Sequence, residues 1–327
     1  MKRLLSLLLA LCLLLSLSVC ALGEGEIALT DQTGRQLTLA QTPEWIVSGY
    51  YISSSALVAL GLEDKLVGIE AKADKRPIYA RSAPELMELP SVGTAKEFDL
   101  EGCVALKPDL VILPAKLKSA AETLESLGIP VLLVNPESAR QMEQMVSLLG
   151  QATGTQDRAE ALLSFIAGQR ENLETLLADE EKPRVYLAGN SSLLSTAGAG
   201  MYQSDMMLLA GGENVAAGIA DTYWADISYE QLLAWDPDYI VLASDASYTV
   251  EEVLADPNLA DCAAVKNGNV LRLPGDAEAW DSPVPGGILG SVWLASALHP
   301  NRMSPEDRDA IINQFYETFY GFRYCED

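Results

Sequence analysis

The sequence predicts an α/β protein of two doubly covered, mostly parallel-sheet lobes, joined by one long α-helix, with a ligand cleft between the lobes. Three observations lead to this fold class. Short β-rich apolar runs alternate with helical patterns in both halves, which is typical of parallel sheets covered on both faces. A helix–turn–strand motif occurs once in each half, and a long segment of helical periodicity separates the two copies.

The repeated motif spans residues 99–113 and returns, without a gap, over residues 228–242. Each copy begins with a good N-cap residue and carries a glutamate, Glu101 or Glu230, in the first helical turn, where negative charge is favoured. A proline then ends the helix, and a short apolar strand follows, with Val104 or Leu233 expected on the buried side of the helix. The recurrence predicts two lobes of similar construction.

The segment between the copies is predicted to be a stiff connector. Residues 156–177 keep their apolar side chains at helical spacing, which corresponds to a helix of about 30 Å. Shorter elements are also predicted: a loop over 49–55 leads into a helix over 56–62, and residues 70–81 form a second loop. The predicted limits are a signal peptide over 1–23, a first α/β lobe over 24–150, a connecting helix over 151–182 and a second α/β lobe over 183–327.

The chain begins with an export signal. Two bases precede a leucine-rich run that ends in small residues before Glu24, as a signal peptidase site requires. Cys20 lies in a sequence that resembles a weak bacterial lipobox, so a lipid anchor at Cys20 stays open beside cleavage before Glu24. The mature protein is therefore expected outside the cytoplasm, at the cell surface or in the periplasm.

Charge and composition exclude several functions. The formal net charge is −24, and without residues 1–23 the balance of 20 bases and 46 acids is −26, which argues against nucleic-acid binding. The three cysteines of the mature chain, Cys103, Cys262 and Cys325, lack the spacing of a disulfide framework or a zinc site. The single histidine, His299, argues against a His-rich metal site. No metal ligand, cofactor or catalytic residue is predicted.

Ligands of open parallel sheets bind at the carboxyl ends of the strands, where two facing lobes would form a shared cleft. A cluster of bases in 72–81, with a tyrosine among them, suits an anionic, partly aromatic ligand. An exposed loop whose bases offset nearby acids explains the same pattern equally well. The predicted ligand-binding residues are Tyr50, Tyr51, Lys72, Arg76, Tyr79, Arg81, Tyr202, Trp224 and Trp280, and Lys75, Lys96, Tyr223 and Asp281 are further cleft candidates.

Four stretches, 31–35, 99–111, 127–131 and 210–214, resemble the substrate-binding proteins of ABC importers. More specifically, they resemble the class with a rigid connecting helix (periplasmic binding protein class III) that carries iron–siderophore chelates, cobalamin and haem. The resemblance implies an iron(III)-siderophore-type chelate, or cobalamin or haem, in the cleft, with Arg76, Tyr79 and Arg81 as contacts. It also implies that Glu101 and Glu230 dock onto the transmembrane permease subunits, which a cytoplasmic ATPase drives.

Two alternatives stay open. A protein of the same class can bind a small oxyanion such as molybdate or tungstate, or a nickel complex. A small tetrahedral anion needs hydrogen-bond donors more than wide aromatic walls, so the size of the pocket separates these ligands from large chelates. The other alternative is an extracytoplasmic chelatase-like enzyme using the acidic cluster of Asp276, Glu278 and Asp281, but no basic partner for this cluster is evident.

Overall fold

The computed structural model describes residues 25–220 and 224–326. The predicted signal peptide, the lipobox cysteine Cys20 and the cleft candidate Tyr223 lie outside these residues. The first lobe has an antiparallel hairpin and a four-stranded sheet of order β4-β3-β5-β6, in which all neighbours are parallel. Its strands are β1 Ile27–Thr30, β2 Gln36–Leu39, β3 Ile46–Ser48, β4 Leu66–Ile69, β5 Leu110–Pro114 and β6 Val131–Val134.

Both faces of the first sheet are covered by helices. Alternate residues of β5 face separate cores, because successive side chains of a strand point to opposite sides. Leu110 and Ile112 pack in one apolar cluster, whereas Val111 and Leu113 pack in another. The helices of this lobe are α1 Tyr51–Ala59, α2 Pro77–Ser82, α3 Leu100–Ala105 and α4 Lys118–Ser126.

The second lobe is built on a six-stranded sheet of order β10-β8-β7-β11-β12, with β9 also paired to β7. Strand β7 pairs in parallel with β9 and β11, and β11 pairs in parallel with β12. Strand β8 runs antiparallel to both β7 and β10. The strands are β7 Arg184–Ala188, β8 Ser195–Ala197, β9 Glu213–Asn214, β10 Trp224–Asp226, β11 Tyr239–Leu242 and β12 Val270–Arg272. The later helices are α7 Tyr202–Leu209, α8 Tyr229–Trp235, α9 Val250–Leu254, α10 Ala263–Lys266, α11 Ile288–Leu298 and α12 Pro305–Tyr320. The predicted fold class is confirmed.

Two helices, α5 Ala139–Thr153 and α6 Gln156–Leu176, join the lobes. The longer one, α6, has 21 residues. It ends one residue before the end of the segment 156–177, whose helical spacing predicted it, and lies within the predicted connecting helix 151–182. Its Leu162 packs into the core of the first lobe, and its Leu173 packs into the core of the second lobe. The helix therefore belongs to both lobes, which restricts their relative motion. The predicted domain limits themselves remain a prediction.

The last helix, α12, returns to the first lobe, although it lies within the residues predicted for the second. Its Phe315 and Phe319 share an apolar cluster with Ile52 of α1 and Phe165 of α6. The same cluster includes Trp280, which follows β12. One continuous core therefore runs from the first lobe into the loop that faces it.

The two copies of the repeat adopt the same local structure. Asp99 and Ser228 cap their helices by accepting hydrogen bonds from backbone N–H groups, at 2.9 and 3.2 Å. Lys107 and Asp236 occupy equivalent positions, and both have positive φ, 52° and 42°. This conformation costs a non-glycine residue about 1–2 kcal/mol. Its occurrence at both places confirms that the chain uses one turn twice.

The most buried position of each repeat helix is not the one predicted. Val104 and Leu233 are half-buried, whereas the residues just before them, Cys103 and Leu232, are fully buried.

The aspartate after each proline explains how the unit is fixed to its sheet. Asp109 accepts hydrogen bonds from the backbone at the start of β3, and Asp238 accepts one at the start of β7.

Two local predictions are wrong. Helix α1 begins at Tyr51 rather than at residue 56, because its serine hydroxyls are satisfied inside the fold: Ser53 Oγ donates to the carbonyl of Tyr50 at 2.8 Å. The predicted loop 70–81 contains a 3₁₀ turn, Ala73–Lys75, and the helix α2, which Pro77 starts at its first position. Among the described helices, none is long and apolar enough to cross a membrane.

Candidate ligand-binding site

A cavity of about 140 Å³ lies between the lobes. We call it the cleft cavity. Tyr51 and Ser55 of α1 and Arg76 before α2 line its first-lobe side, and Asp245 and Glu278 line its second-lobe side. Asp245 follows β11, and Glu278 follows β12. These residues therefore stand where the carboxyl ends of parallel strands place a ligand site, as the sequence predicts.

The amino end of α1 meets this region directly after β3. Its N-cap residue, Tyr50, is extended, with φ −149°, and its side chain makes no capping hydrogen bond. The first N–H groups of a helix have no partner within the helix, and the helix dipole adds positive potential there. This end of α1 therefore favours an anion.

Arg76 is the cation best placed to bind a ligand. Its guanidinium carbon lies 4.2 Å from the centre of the Tyr51 ring, so the ring fixes the orientation of the side chain. Its Nε is buried and makes no hydrogen bond to the described residues. Arg76 also forms no ion pair within the described part of the chain, whereas its neighbour Lys75 pairs with Asp74 at 2.9 Å. Arg76 therefore keeps donors available for an anionic ligand.

Behind Arg76 lies a buried polar network that holds Glu70. Ser54 Oγ donates to one carboxyl oxygen of Glu70 at 2.5 Å, and the Tyr79 hydroxyl donates to the other at 2.8 Å. Burial raises the pKa of Glu70, while these two hydrogen bonds and Arg76 oppose the rise. Tyr79 lines the cleft cavity, but its side chain is fully buried. Its hydroxyl is used to position Glu70.

The second-lobe wall carries an unusual carboxyl group. Glu278 is 5 % exposed, and its Oε1 accepts hydrogen bonds from Ser55 Oγ and from the Tyr320 hydroxyl, the latter at 3.2 Å. Its Oε2 is buried and has no hydrogen-bond partner among residues 25–220 and 224–326. Burial raises the pKa of Glu278 to about 7, against the opposing effect of its hydrogen bonds. Next to it, Asp281 is buried and accepts from Ser244 Oγ at 2.6 Å.

Two predicted contacts have other roles. The Arg81 guanidinium stacks on Phe322, 4.2 Å from the ring centre, and donates to the carbonyl of Arg323 at 3.0 Å. Arg81 therefore holds the C-terminal segment and does not line the cleft cavity. Trp280 is fully buried, and its indole N–H donates to the Tyr316 hydroxyl at 2.8 Å. It fills the space behind the cleft and does not form its surface.

The remaining predicted residues divide into near and distant ones. Tyr51 and Arg76 meet in the cleft cavity, and Tyr50 lies beside it at the start of α1. Lys72 is exposed, with φ 69°, and does not line the cavity. Trp224 begins β10 and packs over Gly189, also outside the cavity lining. Three polar cavity residues are absent from the predicted ligand-binding set: Ser55, Asp245 and Glu278. Ser55 is an ordinary helix serine, and acids are not expected at an anion site, so Glu278 was named only for the enzyme alternative.

A larger groove of about 740 Å³ lies between α5, α6, α7 and α11. Tyr202, predicted to bind the ligand in the cleft, lines this groove and not the cleft cavity. The groove's Arg170 is already paired with Glu143. No group of three His, Cys, Asp or Glu side chains that could hold a metal ion occurs in the described part of the chain.

The sequence profile of the periplasmic binding protein family matches residues 46–277. The chain belongs to the periplasmic binding protein family. It is a substrate-binding protein that works outside the cytoplasm with an ABC permease. Its named relatives are transport proteins rather than enzymes.

Several relatives of this periplasmic binding protein have named ligands. The molybdate-binding protein MolA of Haemophilus influenzae is 30% identical, over 99% of both chains. The vitamin B12-binding protein of Salmonella choleraesuis is 31% identical, over 67% of this chain and 80% of that protein. The structure of MolA bound to molybdate superposes with a TM-score of 0.82 and 27% identity, covering 92% of this chain and 99% of MolA. A periplasmic solute binding protein from Veillonella parvula gives a TM-score of 0.81 at 26% identity, covering 92% and 95%.

Proposed function

We propose that this periplasmic binding protein carries a small oxyanion of the molybdate type to its permease. The observation that supports this ligand class is the cleft cavity of about 140 Å³. Pockets for drug-sized ligands usually enclose about 300–1,000 Å³, and cobalamin, haem and ferric siderophores are larger still. A tetrahedral oxyanion suits the smaller space.

The chemistry of the cavity agrees with its size. Arg76 offers unpaired donors in a planar fork that suits oxyanions, and the amino end of α1 adds positive potential. Four aromatic residues were expected to form the walls of a chelate site: Tyr50, Tyr79, Trp224 and Trp280. Tyr79 and Trp280 are fully buried, and Tyr50 and Trp224 do not line the cavity. The similarity to MolA over nearly the whole chain supports the same ligand class.

The test is isothermal titration of the mature protein with molybdate and tungstate, and with ferric siderophore, cyanocobalamin and haemin. We expect the two oxyanions to bind. Replacing Arg76 with Ala should weaken molybdate binding at least about tenfold, since a hydrogen bond to a charged group contributes about 1.5–3 kcal/mol. Lys72→Ala removes the same charge outside the cavity and should change the affinity less than about twofold. Binding of a large chelate, with no binding of either oxyanion, would overturn the proposal.

We infer that Glu101 and Glu230 form the contact with the permease. Both are exposed, and they occupy the same place in the first turns of α3 and α8. Each helix leads into a central parallel strand, β5 or β11, so its amino end lies level with the carboxyl end of that strand. Both glutamates therefore lie on the cleft side, where two arginine-bearing sites on a permease could bind them together.

This assignment is tested by the pair Glu101→Ala and Glu230→Ala in an uptake assay. Uptake of molybdate should be lost, while the affinity measured by titration stays unchanged. The matched control replaces Glu122 of α4 and Glu251 of α9, which are equally exposed acids, and should leave uptake intact. Loss of ligand affinity in the first pair would contradict a docking role.

A further inference from the structure

Glu70 is a buried acid close to the cleft cavity that does not line it. It directly follows the last residue of β4 and is 6 % exposed. Both of its carboxyl oxygens are used: Ser54 Oγ donates to Oε2 at 2.5 Å, and the Tyr79 hydroxyl donates to Oε1 at 2.8 Å. A buried polar network in which every member is satisfied holds its groups in one arrangement. Glu70 therefore fixes the position of Ser54 relative to Tyr79.

The two partners of Glu70 belong to two helices, and each lies one turn behind a residue of the cleft cavity. Ser54 is three residues after Tyr51, the first residue of α1. Tyr79 is three residues after Arg76, the N-cap residue of α2. Residues three apart are neighbours on the surface of a helix. Glu70 thus ties together the two helix turns from which Tyr51 and Arg76 line the cavity.

The two cavity side chains carried by these turns contact each other. The guanidinium carbon of Arg76 lies 4.2 Å from the centre of the Tyr51 ring. Burial raises the pKa of Glu70, and Arg76 is among the groups that oppose this rise, so the acid and the guanidinium attract each other. Arg76 is therefore held by the ring on one side and attracted by a fixed acid behind the cavity.

We propose that Glu70 is a positioning residue for the ligand: through its hydrogen bonds to α1 and α2 it holds the Arg76 guanidinium against Tyr51 before a ligand arrives. A long charged side chain loses rotational freedom when it binds an anion, and this loss weakens binding. In this protein Arg76 has lost part of that freedom before the ligand binds. Glu70 therefore strengthens oxyanion binding without touching the ligand.

The position of Arg76 is tested first in the ligand-free protein. The Nε–H signal of Arg76 is observed by NMR of the isotope-labelled mature protein and assigned by its absence from Arg76→Ala. Protons above the face of an aromatic ring resonate upfield, so this signal should lie upfield of that of an unstructured arginine. Glu70→Gln keeps the size of the side chain, but its amide nitrogen cannot accept a hydrogen bond. We expect most of the upfield shift to be lost in this variant.

The effect on binding rests on the proposed oxyanion function and is measured by calorimetric titration with molybdate. Glu70→Gln should weaken molybdate binding about fivefold, because the cost of immobilising one long side chain moves to the binding step. In the Arg76→Ala background the same substitution should change the affinity less than about twofold, since the side chain that Glu70 positions is absent. A residue that only stabilises the fold would have the same effect in both backgrounds.

Asp31→Asn is the matched control. Asp31 is another buried acid of the first lobe that accepts several hydrogen bonds, and it does not line the cleft cavity. Its substitution should lower the free energy of unfolding and leave both the Arg76 signal and the molybdate affinity unchanged. If Glu70→Gln does not fold, Tyr79→Phe removes one of the two hydrogen bonds and keeps the ring, and it should change the signal and the affinity in the same direction.

The possible results separate this role from the proposed function. An Arg76 signal that stays unchanged in Glu70→Gln, or in Tyr79→Phe if that variant has to replace it, refutes the positioning role for any ligand. A loss of molybdate affinity that is equal with and without Arg76 also refutes it, because Glu70 would then act on the fold as a whole. If the wild type binds no oxyanion, the proposed function is wrong, and the NMR signal alone decides whether Glu70 positions Arg76.

Discussion

The stability of the ligand-free protein should depend on the protonation of Glu278. Burial raises the pKa of this carboxyl from an ordinary value of 4.5 to about 7. Below about pH 4 the group is neutral in both folded and unfolded chains and contributes nothing. Between the two pKa values the unfolded chain releases the proton that the folded protein keeps, so stability falls as the pH rises and is constant above about pH 7. The difference between the pKa values corresponds to about 3 kcal/mol.

Glu278→Gln isolates this contribution because glutamine does not titrate. The free energy of unfolding of wild type and variant is measured by urea denaturation, followed by tryptophan fluorescence, from about pH 4 to pH 8. Relative to the variant, the wild type should lose about 3 kcal/mol over this range, whatever the pH-independent cost of the substitution. A difference that stays constant within about 0.5 kcal/mol would show that the carboxyl is not held neutral, and the reasoning from its burial would be wrong.

Three further predictions follow from the same structure. Arg81→Ala should lower the free energy of unfolding by about 1–2 kcal/mol, because it loses the C-terminal aromatic stack, and should leave molybdate affinity unchanged; a large loss of affinity would return Arg81 to the cleft. Gly93→Ala should lower the free energy of unfolding by more than about 2 kcal/mol, because at φ +83° its Cβ would lie 2.1 Å from a backbone oxygen. Gly128→Ala has a similar φ, +81°, but open space around the Cβ, and should lower the free energy of unfolding by about 1 kcal/mol. Thermal denaturation measures both. Burial acts to raise the pKa of Asp31, but hydrogen bonds from the hairpin turn hold this pKa below 3.8. Asp31→Asn should therefore remove stability that the wild type keeps above about pH 4 and loses in acid. Equal acid sensitivity of the two proteins would contradict this.

The fold was predictable because its information is local. The capped helix, the Pro-Asp turn and the apolar strand lie within fifteen consecutive residues, and both copies form as predicted. The start of α1 was missed for a tertiary reason. A serine run favours a loop in isolation, but Ser48, Ser53 and Ser54 hydrogen-bond to one another and to Glu70 in the folded protein.

The site was predictable only in part. Arg76 and Tyr51 follow two strands of the first lobe. They were predicted because ligands bind at the carboxyl ends of the strands in open parallel sheets. The neighbouring base Arg81 lies in the same basic segment but on a helix, where its side chain reaches the C-terminal segment. Nothing in 70–81 reveals this, because the partner segment is more than two hundred residues away. Ser55 and Glu278, which contact each other, are likewise more than two hundred residues apart in the sequence.

The size of the cleft cavity follows from how the aromatic residues are used. The sequence places Trp280 and several tyrosines near strand ends, which suits the walls of a chelate site as well as a packed core. In the structure, Tyr324 lies 5.2 Å from Trp280 and 5.1 Å from Tyr316, between ring centres. The C-terminal segment holds these rings together through Arg81. These packed rings lie beside the cleft cavity, which Arg76 and Glu278 line. The space left between the lobes is therefore limited by where the last helix packs, a property of the tertiary structure that no single motif carries.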